Sequence, residues 1–417
     1  MKPLRVAIFS DFPEEEWPSM DRVAAQLVEN LRRHHAATID VTLVAPRFVA
    51  RATLVGTGRA AFTVDRILNR FWDYPRHAAT LRDAYDVFHV VDHSYSQLVH
   101  RLPAGRTVVT CHDLDTFRSL LRPADEPRSW PFKAMSRHVL SGLQRAARIT
   151  CDTAAVRDEL IAEKLVSADR LVVAPVGVGP EYSNQPDPDA DNEAARIIAS
   201  SPGAVEILHV GSTIPRKRVD ILLKICAELR HQVPNLHLVR VGGAFTPDQA
   251  RLAEAVGTGR ISVLGFLDDS TLAAVYRRAA LVLQPSDREG FGLPLIEAMA
   301  CGTPAVASDL AVLREVGGSA VEYCPPGAVS VWCRRIVDLL HERDRAPLRW
   351  MARREAGLDR ARLFTWPQFT ARVAQVYDEV AAAADPRLAR TPANRHQSAP
   401  MRTAFTTTDT KDTKAKA

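Results

Sequence analysis

Long apolar runs are missing from this sequence. None of its hydrophobic stretches approaches the roughly 18 residues that a membrane-spanning helix requires, although the chain has 417 residues. The first residues, MKPLRVAIFSDFPEEE, pass from a short apolar segment directly into acidic residues, unlike a secretory signal peptide. Both absences predict a protein that stays in the cytoplasm.

Cysteine is also scarce, and its spacing argues against two kinds of site. The chain has 6 cysteines and no C-x-x-C pair, so neither a disulfide framework nor a zinc site is indicated. Most of the cysteines lie in apolar segments, which predicts reduced and buried thiols. They are Cys111, Cys151, Cys226, Cys301, Cys324 and Cys333.

An excess of one charge is absent as well. The 54 Lys and Arg residues nearly balance the 49 Asp and Glu residues, which leaves a formal net charge of +5. A protein that binds nucleic acid along its surface usually carries a strong cationic excess. The charge balance therefore predicts no nucleic-acid partner.

What the sequence does contain is a regular alternation of strand-like and helix-like segments. Apolar segments such as RVAIFS, DVFHVVD and RTVVTCHD alternate with helical ones, stop at the polar stretch NQPDPDADNEAAR, and resume with VEILHVG. This pattern predicts an α/β fold with two Rossmann-like parallel-sheet domains that face a central cleft. The predicted ranges are 1–183 for the first domain, 184–204 for a linker, 205–365 for the second domain, 366–385 for a helix returning to the first domain, and 386–417 for a disordered tail.

The stretch SDREGFGLPLIEAMACGTP, residues 286–304, combines two acids with glycines and a proline. The preceding ALVLQPS predicts a buried strand, and Pro294 suits the first turn of the helix that follows. A helix start has unpaired N–H groups and a partial positive charge, and Gly290 and Gly292 let a ligand approach the backbone. The unit therefore predicts an anion site of the kind that holds phosphate.

The two acids of this stretch, Glu289 and Glu297, point to a second kind of ligand. Carboxylates beside phosphate would repel it, whereas an ionised carboxylate can accept hydrogen bonds from two neighbouring hydroxyl groups. A diphosphate with sugar hydroxyls on both sides fits both features. Its hydroxyl groups would donate to the two acids, and its phosphates would bind at the anion site. The alternative is that both glutamates lie on solvated surfaces.

With both halves considered, the chain resembles the retaining GT-B glycosyltransferases of family 4, the group 1 glycosyltransferases. EGFGLPLIE is similar to the E-x7-E signature of that family, and ACGTPAVASD follows it as expected. The resemblance implies that the second domain binds a nucleoside diphosphate sugar, with Glu289 at the sugar hydroxyls and Glu297 at the ribose hydroxyls. It also assigns sugar and phosphate contacts to the backbone amides of Gly290, Phe291, Gly292 and Leu293.

A second motif of the family lies in HVGSTIPRKRVD. Here Gly211 turns the chain after a strand, and Lys217 matches the lysine that the family places at the diphosphate. Ser212 stands where an arginine is common, so we expect Arg216 to replace that arginine and to act with Lys217 on the leaving group. The alternative is a solvated helix start.

The first domain contributes residues at two places. His112, at the end of VVTCHD, matches the family's histidine near the donor sugar, and Asp113 follows it. In WPSMDRVAAQL the family's glycine pair is replaced by proline and Ser19, while Asp21 and Arg22 still fit the pattern. The resemblance implies that Ser19 lies on a first-domain loop close to the phosphates.

These assignments imply an enzyme that transfers a sugar to an acceptor hydroxyl with retained anomeric configuration. Many relatives build cell-envelope or exopolysaccharide chains, so the acceptor is expected to be a glycan or a lipid-linked sugar. The nucleotide sugar is a substrate, and neither a cofactor nor a metal ion is expected to be required.

Three alternatives remain from the sequence. The acids of DLD, Asp113 and Asp115, fit the D-x-D pattern of metal-dependent glycosyltransferases. The segment VGTGRAA places Gly56, Gly58 and Ala61 in the G-x-G-x-x-A pattern of nicotinamide oxidoreductases, although no clear strand follows before residue 87. A noncatalytic nucleotide-sugar-binding protein is the third alternative.

The segment WPFKAMSRHVLSGLQRAAR, residues 130–148, predicts an amphipathic helix. Its apolar side is expected to pack on the first sheet. Its basic side, with arginines nearby in the sequence, predicts peripheral association with anionic lipid head groups or with a lipid pyrophosphate acceptor. The cations are Lys133, Arg137, Arg145 and Arg148, with Arg118, Arg122 and Arg128 nearby. The alternative is a basic side that is merely solvated.

Overall fold

The computed structural model of the chain describes residues 2–257 and 259–388. In this part of the chain, two sheets of six strands each form the centres of two α/β domains. Neighbouring strands pair in parallel throughout both sheets. The prediction of two Rossmann-like parallel-sheet domains is confirmed.

The first sheet has the strand order β2-β1-β3-β4-β5-β6. Its strands are β1 Leu4–Phe9, β2 Ile39–Val44, β3 Val87–Val90, β4 Thr107–Cys111, β5 Arg148–Cys151 and β6 Leu171–Val173. The helices of this half are α1 Pro18–His34, α2 Ala52–Val55, α3 Arg59–Leu68, α4 Tyr74–Thr80, α5 Arg118–Leu121, α6 Trp130–Arg145 and α7 Ala154–Ala162. All residues of β3 and β4 are buried, because helices cover both faces of a parallel sheet.

The second sheet has the strand order β12-β11-β10-β7-β8-β9. Its strands are β7 Val205–Val210, β8 Leu236–Val241, β9 Ile261–Leu264, β10 Leu281–Gln284, β11 Ala305–Ser308 and β12 Glu322–Cys324. The helices of this half are α8 Pro188–Ile198, α9 Val219–Leu229, α10 Pro247–Glu254, α11 Asp269–Arg278, α12 Leu293–Ala300, α13 Ala311–Gly317, α14 Val329–Arg345 and α15 Pro347–Ala361. In both sheets the predicted site residues lie in the loops that follow the strands or in the helices that those loops lead into, as is usual for open parallel sheets.

The last helix, α16 Trp366–Ala384, lies against the first domain. Its Tyr377 is fully buried, and the tyrosine hydroxyl lies 2.6 Å from Nδ1 of His89 on β3. Of the predicted disordered tail, residues 386–388 form a single helical turn. Residues 389–417 lie outside the described part of the chain.

The segment predicted as a linker, residues 184–204, contains the helix α8. The carboxylate of Asp187 accepts a hydrogen bond of 3.2 Å from the amide of Ala190, and Pro188 begins the helix. Ala190, Ala194 and Ile198 are buried against the second domain. The segment is polar on only one side, and its small apolar residues recur every four positions, a helical spacing that its overall composition conceals.

The two domains are also tied together across the cleft. Glu315, on α13 of the second domain, accepts hydrogen bonds of 2.6 and 2.9 Å from the amides of Ala154 and Ala155. Those amides open α7 of the first domain, so an acid of one domain caps a helix of the other. This contact holds the carboxyl ends of the two sheets close to each other.

The cysteine and membrane predictions can also be compared with the structure. All six cysteines are buried and unbridged, as the sequence predicted. Within residues 2–257 and 259–388, no helix combines the length and the apolar character needed to cross a bilayer.

Candidate active site

The carboxylate of Glu289 is the most heavily hydrogen-bonded group of the predicted site. It lies in the loop after β10, and its side chain is only 5% exposed. Lys217 Nζ donates to its two oxygens at 2.7 and 2.9 Å, Ser286 Oγ donates at 2.7 Å, and Gln284 Nε2 donates at 2.9 Å. Arg216 Nη1 adds a fourth donor at 3.2 Å. Five donor contacts hold this carboxylate in one orientation.

The same contacts set the charge of Glu289. Burial alone would raise the pKa of this carboxyl group, but the charges of Lys217 and Arg216 and the hydrogen bonds outweigh it and lower the pKa to about 2. Glu289 is therefore ionised at neutral pH. An ionised and fixed carboxylate is a strong acceptor for the hydroxyl groups of a ligand.

Lys217 and Arg216 lie in a short turn, Pro215–Lys217, between β7 and α9. Arg218 follows the turn with φ +49°, and its guanidinium donates to both oxygens of Asp287 at 2.9 Å. Asp287 precedes Glu289 by two residues, so this ion pair fixes the cationic turn to the Glu289 loop. Ser212 lies before the turn and is exposed.

Gly211 turns the chain immediately after β7, as predicted. A Cβ atom on Gly242, which follows the neighbouring β8, would overlap the carbonyl oxygen of Gly211. The two strand ends therefore approach closely only because position 242 is glycine.

The glycine turn before α12 also has the predicted form. Gly292 adopts φ +99°, a conformation that favours glycine, and α12 starts at the next residue, Leu293. Phe291 is buried and packs edge-on against Phe364, with ring centroids 5.6 Å apart. Among the described residues, none accepts a hydrogen bond from the amides of residues 290–293. These amides are available to an anionic ligand.

Gly290 brings the second domain against the first. A Cβ atom at this position would overlap the carbonyl oxygen of His112. The carbonyl oxygen of Gly290 also accepts a hydrogen bond of 3.3 Å from Thr153 Oγ1. The Glu289 loop thus lies directly on the end of β4.

His112 is buried, and both of its ring nitrogens have partners. Nδ1 lies 2.6 Å from Asp152 Oδ2, and Nε2 lies 2.7 Å from the carbonyl oxygen of Val91. Burial favours the neutral ring, but Asp152 and further acceptors outweigh it and raise the pKa of His112 to about 9. The ring is therefore a cation that donates from both nitrogens at neutral pH, and it contributes positive charge rather than a base.

Glu297, the residue expected at the ribose, lies on α12 with 5% of its side chain exposed. Its carboxylate accepts hydrogen bonds of 2.7 Å from Arg22 Nη1 and 2.8 Å from the Tyr276 hydroxyl. Burial raises the pKa of Glu297, and the charge of Arg22 opposes that shift. Arg22 also pairs with Asp269 and lies 5.6 Å from the centroid of the Tyr182 ring. A first-domain arginine thus occupies one side of this acid.

The acids of the D-x-D pattern face arginines of the second domain. Asp115 accepts a hydrogen bond of 3.0 Å from Arg288 Nε and forms an ion pair with Arg216, whose Nε lies 2.9 Å from its carboxylate. Asp113 lies 3.8 Å from Arg216 Nη2. In the described chain, no group of three His, Cys, Asp or Glu side chains has the arrangement of a metal site. The acids and the arginines form an ionic bridge between the domains.

A cavity of about 470 Å³ opens beside these residues on the first-domain side. His112, Asp113, Ser19 and Arg216 line it, together with aromatic and aliphatic side chains. The prediction that Ser19 lies on a loop is wrong, because α1 begins at Pro18 and includes it. Pro18 takes the place of a family glycine and suits the first turn of a helix, so the helix begins earlier than expected.

Helix α6 borders the same cavity through Met135 and Phe132. It ends at Arg145, so Arg148 belongs to β5 and not to the helix as predicted. Phe132, expected to pack on the sheet, remains 39% exposed. Val139 and Leu143 do pack into the first-domain core.

The arginines expected to extend the basic side of α6 are mostly engaged elsewhere. Arg118 pairs with Glu159 on α7 at 2.8 Å, and Arg122 pairs with Glu163, which directly follows α7. Arg128 lies over the ring of Phe132, 5.3 Å from its centroid. The basic surface of α6 is therefore smaller than the sequence suggested.

Comparisons with known proteins identify the family of the chain. Residues 191–355 match the family described as glycosyl transferases group 1, and residues 20–182 match glycosyltransferase family 4. O-antigen chain mannosyltransferase B of Escherichia coli is 30% identical over 72% of this chain and 77% of its own length.

The chain belongs to the group 1 glycosyltransferases. Two solved structures share its fold. Sucrose-phosphate synthase from Thermosynechococcus elongatus superposes with a TM-score of 0.70 at 20% identity, covering 91% of this chain and all of the other. HepE of Anabaena in complex with UDP-glucose gives a TM-score of 0.66 at 16% identity, covering 90% of this chain and all of the other. This glycosyltransferase therefore has the GT-B fold that the resemblance implied.

The structure also decides against the nicotinamide oxidoreductase alternative. The nicotinamide reading is wrong, since this glycosyltransferase carries a short helix, α2, immediately before Gly56, where the fingerprint requires a strand. Gly58 precedes α3 with φ +109° and caps that helix.

Sequence reasoning missed several partners of the predicted residues in this glycosyltransferase. Asp152 directly follows β5, and the end of a parallel strand was a signal that could have identified it. Gln284 and Ser286 lie in ALVLQPS, the segment that predicted a buried strand. Their position at the end of that strand was the signal that could have identified them. The pairing of Tyr276 with Glu297 had no local signal.

Proposed function

We propose that this enzyme transfers a hexose from a nucleoside diphosphate sugar to an acceptor hydroxyl, with retained anomeric configuration. The product is a glycan of the cell envelope or an exopolysaccharide. The observation that carries the proposal is the carboxylate of Glu289, held ionised by Lys217 and Arg216 beside the unengaged amides of residues 290–293. The UDP-glucose complex of HepE, which shares the fold, supports this class of donor.

In the proposed complex, hydroxyl groups of the donor sugar donate to Glu289, and the diphosphate meets Lys217, Arg216 and the start of α12. Cleavage of the glycosidic bond leaves a nucleoside diphosphate with additional negative charge. Fixed cations and amides that already surround this position lower the barrier, each contributing about 3 kcal/mol in comparable sites. Glu289 keeps its hydrogen bonds from Ser286 and Gln284 while Lys217 gains a second anion.

Glu297 takes the ribose hydroxyls in this proposal. Its two oxygens already accept from Arg22 and Tyr276, and a carboxylate has lone pairs for about four hydrogen bonds. Ribose can therefore bind at the free lone pairs while Arg22 remains in place. The interdomain pair and the nucleotide would then share one acid.

The acceptor enters from the first-domain cavity beside His112 and Arg216. We assign a glycan or a lipid-linked sugar to it, which is consistent with the resemblance to O-antigen chain mannosyltransferase B. The unpaired cations of α6 support a place at the inner face of the membrane, with the enzyme bound peripherally from the cytoplasm.

No cofactor and no metal ion are required in this proposal, because Lys217, Arg216 and the backbone amides supply the positive charge. Asp113 and Asp115 would then serve the bridge between the domains. Turnover in excess EDTA tests this point. Full activity is expected, and strict dependence on added Mg²⁺ or Mn²⁺ would favour the D-x-D alternative.

A donor screen tests the proposal as a whole. Thermal unfolding and sugar release are measured with UDP, GDP and ADP sugars, for the wild type and for Glu289→Gln. At least one donor should raise the melting temperature of the wild type and be turned over, with turnover lost in the variant. NMR identifies the anomer of the sugar product that forms first. The same anomeric configuration as in the donor indicates retention. If no donor stabilises the wild type, the proposal is wrong.

A further inference from the structure

The cations that line the first-domain cavity differ in whether they have a partner. Arg70 lies 3.3 Å from Glu15 and 4.0 Å from the centroid of the Tyr95 ring, and Arg216 pairs with Asp115. Arg66, on α3, also lines the cavity. Its guanidinium forms no ion pair and no hydrogen bond with any residue of the described chain. Arg66 is the cavity's uncompensated guanidinium.

The cavity that Arg66 lines also contains partly exposed apolar side chains. Trp17, Ile67 and Phe132, from three separate segments, line the cavity and remain 45%, 38% and 39% exposed. They form its rim, where the cavity meets solvent. Arg66 itself is half-buried. A partly buried cation beside apolar side chains is more stable with an anion than alone, because apolar neighbours return none of its lost hydration.

The inner part of the cavity is polar and reaches the proposed donor site. His112, Asp113 and Arg216 lie there, and Arg216 also contacts Glu289. A bound molecule that spans the cavity would place its hydroxyl groups at this inner end. The part left at the rim would meet one cation and several apolar side chains.

We propose that the acceptor is an anionic amphiphile, and that Arg66 binds its phosphate group while Trp17, Ile67 and Phe132 bind the adjoining apolar chain. This inference rests on the proposed function, since it names the acceptor class of that transfer. Arg66 is a specificity residue in this account and takes no part in bond cleavage. The phosphate chemistry could come from a lipid phosphate or from free phosphate, and the cavity's apolar rim selects the lipid form.

Binding of three small probes tests the inference without any donor. Calorimetry compares n-hexyl phosphate, n-hexyl β-D-glucoside and inorganic phosphate, all below micelle-forming concentrations, on the wild type and on Arg66→Gln. Arg59→Gln is the matched control, because Arg59 begins the same helix, is exposed and does not line the cavity. Hexyl phosphate should bind the wild type and Arg59→Gln at least about tenfold more tightly than either other probe, and Arg66→Gln should lose that advantage. Arg66→Lys, which keeps a charge, should recover part of it.

Each contrary outcome has a definite meaning. Equal loss in Arg66→Gln and Arg59→Gln overturns the role of Arg66. If hexyl glucoside binds as tightly as hexyl phosphate, the ligand needs no anionic group and the inference is wrong. If inorganic phosphate binds as tightly, the ligand needs no apolar chain and the inference is equally wrong. Displacement of hexyl phosphate by a nucleoside diphosphate would show that the probe occupies the donor site, which also overturns the inference. Unchanged melting temperatures of the variants exclude misfolding as the cause of lost binding.

Failure of the inference can be told apart from failure of the proposed function. If the donor screen is negative while hexyl phosphate binds through Arg66, the transfer reaction is wrong and the anion subsite stands. If a donor is turned over but Arg66 has no effect on the probes, the transfer stands and the acceptor class is wrong.

Discussion

Arg22 Nη1 of the first domain donates a hydrogen bond of 2.7 Å to Glu297 Oε1 of the second. The pair joins residues 275 positions apart along the chain, and its acid is the one assigned to the nucleotide ribose. Burial raises the pKa of Glu297, whereas the charge of Arg22 lowers it. The pKa of the acid proposed for the ribose therefore depends on a residue of the opposite domain.

Removing Arg22 should make nucleotide binding sensitive to pH. In Arg22→Ala the pKa of Glu297 rises further, so lower pH protonates the acid and removes acceptors for the ribose. We expect the affinity of the cognate nucleoside diphosphate to fall several-fold between pH 8 and pH 6 in the variant, and to change less in the wild type. Calorimetric titration at both pH values measures this. Parallel pH profiles for the two proteins would contradict the prediction.

Loss of the charge on Glu289 should damage catalysis more than nucleotide binding. Glu289→Gln keeps the shape of the side chain but cannot balance Lys217 and Arg216, and its amide would place a donor against theirs. We expect kcat to fall by about a hundredfold or more, equivalent to roughly 3 kcal/mol, with the affinity for free nucleoside diphosphate little changed. Steady-state kinetics and nucleotide titration separate the two quantities. A variant with normal kcat would remove Glu289 from the site.

The cations of the turn before α9 should act on the leaving group. Lys217→Ala is expected to lower kcat by a hundredfold or more, since a fixed charge next to the diphosphate is lost. Arg216→Ala should be similarly severe if Arg216 replaces the family's arginine at position 212. Lys224→Ala is the matched control, because Lys224 is exposed on α9, the helix that follows the turn. A mild effect of Arg216→Ala would leave the replacement unsupported, whatever the result for Lys217.

The pair of His112 and Asp152 should make folding stability depend on pH. The pKa of His112 is raised to about 9 in the fold, against about 6.5 in an unfolded chain. A raised pKa stabilises the fold fully below pH 6.5, and this contribution is lost as the pH rises through 9. At about 1.4 kcal/mol per pKa unit it amounts to about 3 kcal/mol.

Asp152→Asn removes the cause of that shift. The free energy of unfolding is measured with urea at pH 6 and at pH 9.5 for both proteins. The stability advantage of the wild type over the variant should be about 3 kcal/mol larger at pH 6 than at pH 9.5. A difference that stays constant across this range would show that Asp152 stabilises the fold without charging His112.

The basic face of α6 should promote binding to anionic membranes. Lys133, Arg137 and Arg145 form no ion pairs with described residues, and each can add about 1 kcal/mol near an anionic surface. Substituting Gln at all three should abolish co-sedimentation with phosphatidylglycerol vesicles at low salt. A control with Gln at the exposed second-domain residues Arg334, Arg345 and Arg349 removes equal charge. Equal pelleting of the two variants would show that the α6 face is only solvated.

Much of the fold followed from local pattern. Continuous apolar segments such as the one ending at Gln284 predicted buried parallel strands, and their alternation with helices predicted two Rossmann-like domains. The errors occurred where composition hid periodicity, as in α8 around Ala190 and Ala194, or where a helix began one turn early, as at Ser19. In these places short-range packing outweighed the polar or loop-like appearance of the segment.

The sequence by itself determined the strand, glycine turn and helix unit around Glu289, because that unit depends on residues within about 20 positions of one another. Gly292 must adopt a positive φ, Pro294 suits a helix start, and the strand before them is apolar for reasons that neighbouring residues reveal. Only the tertiary structure decided which distant side chains complete the site. No local pattern specifies which loops face each other across a cleft. The way in which the strands and the two sheets are arranged decides that Arg22 pairs with Glu297, that Asp152 pairs with His112, and that the side chain of Arg66 has no partner.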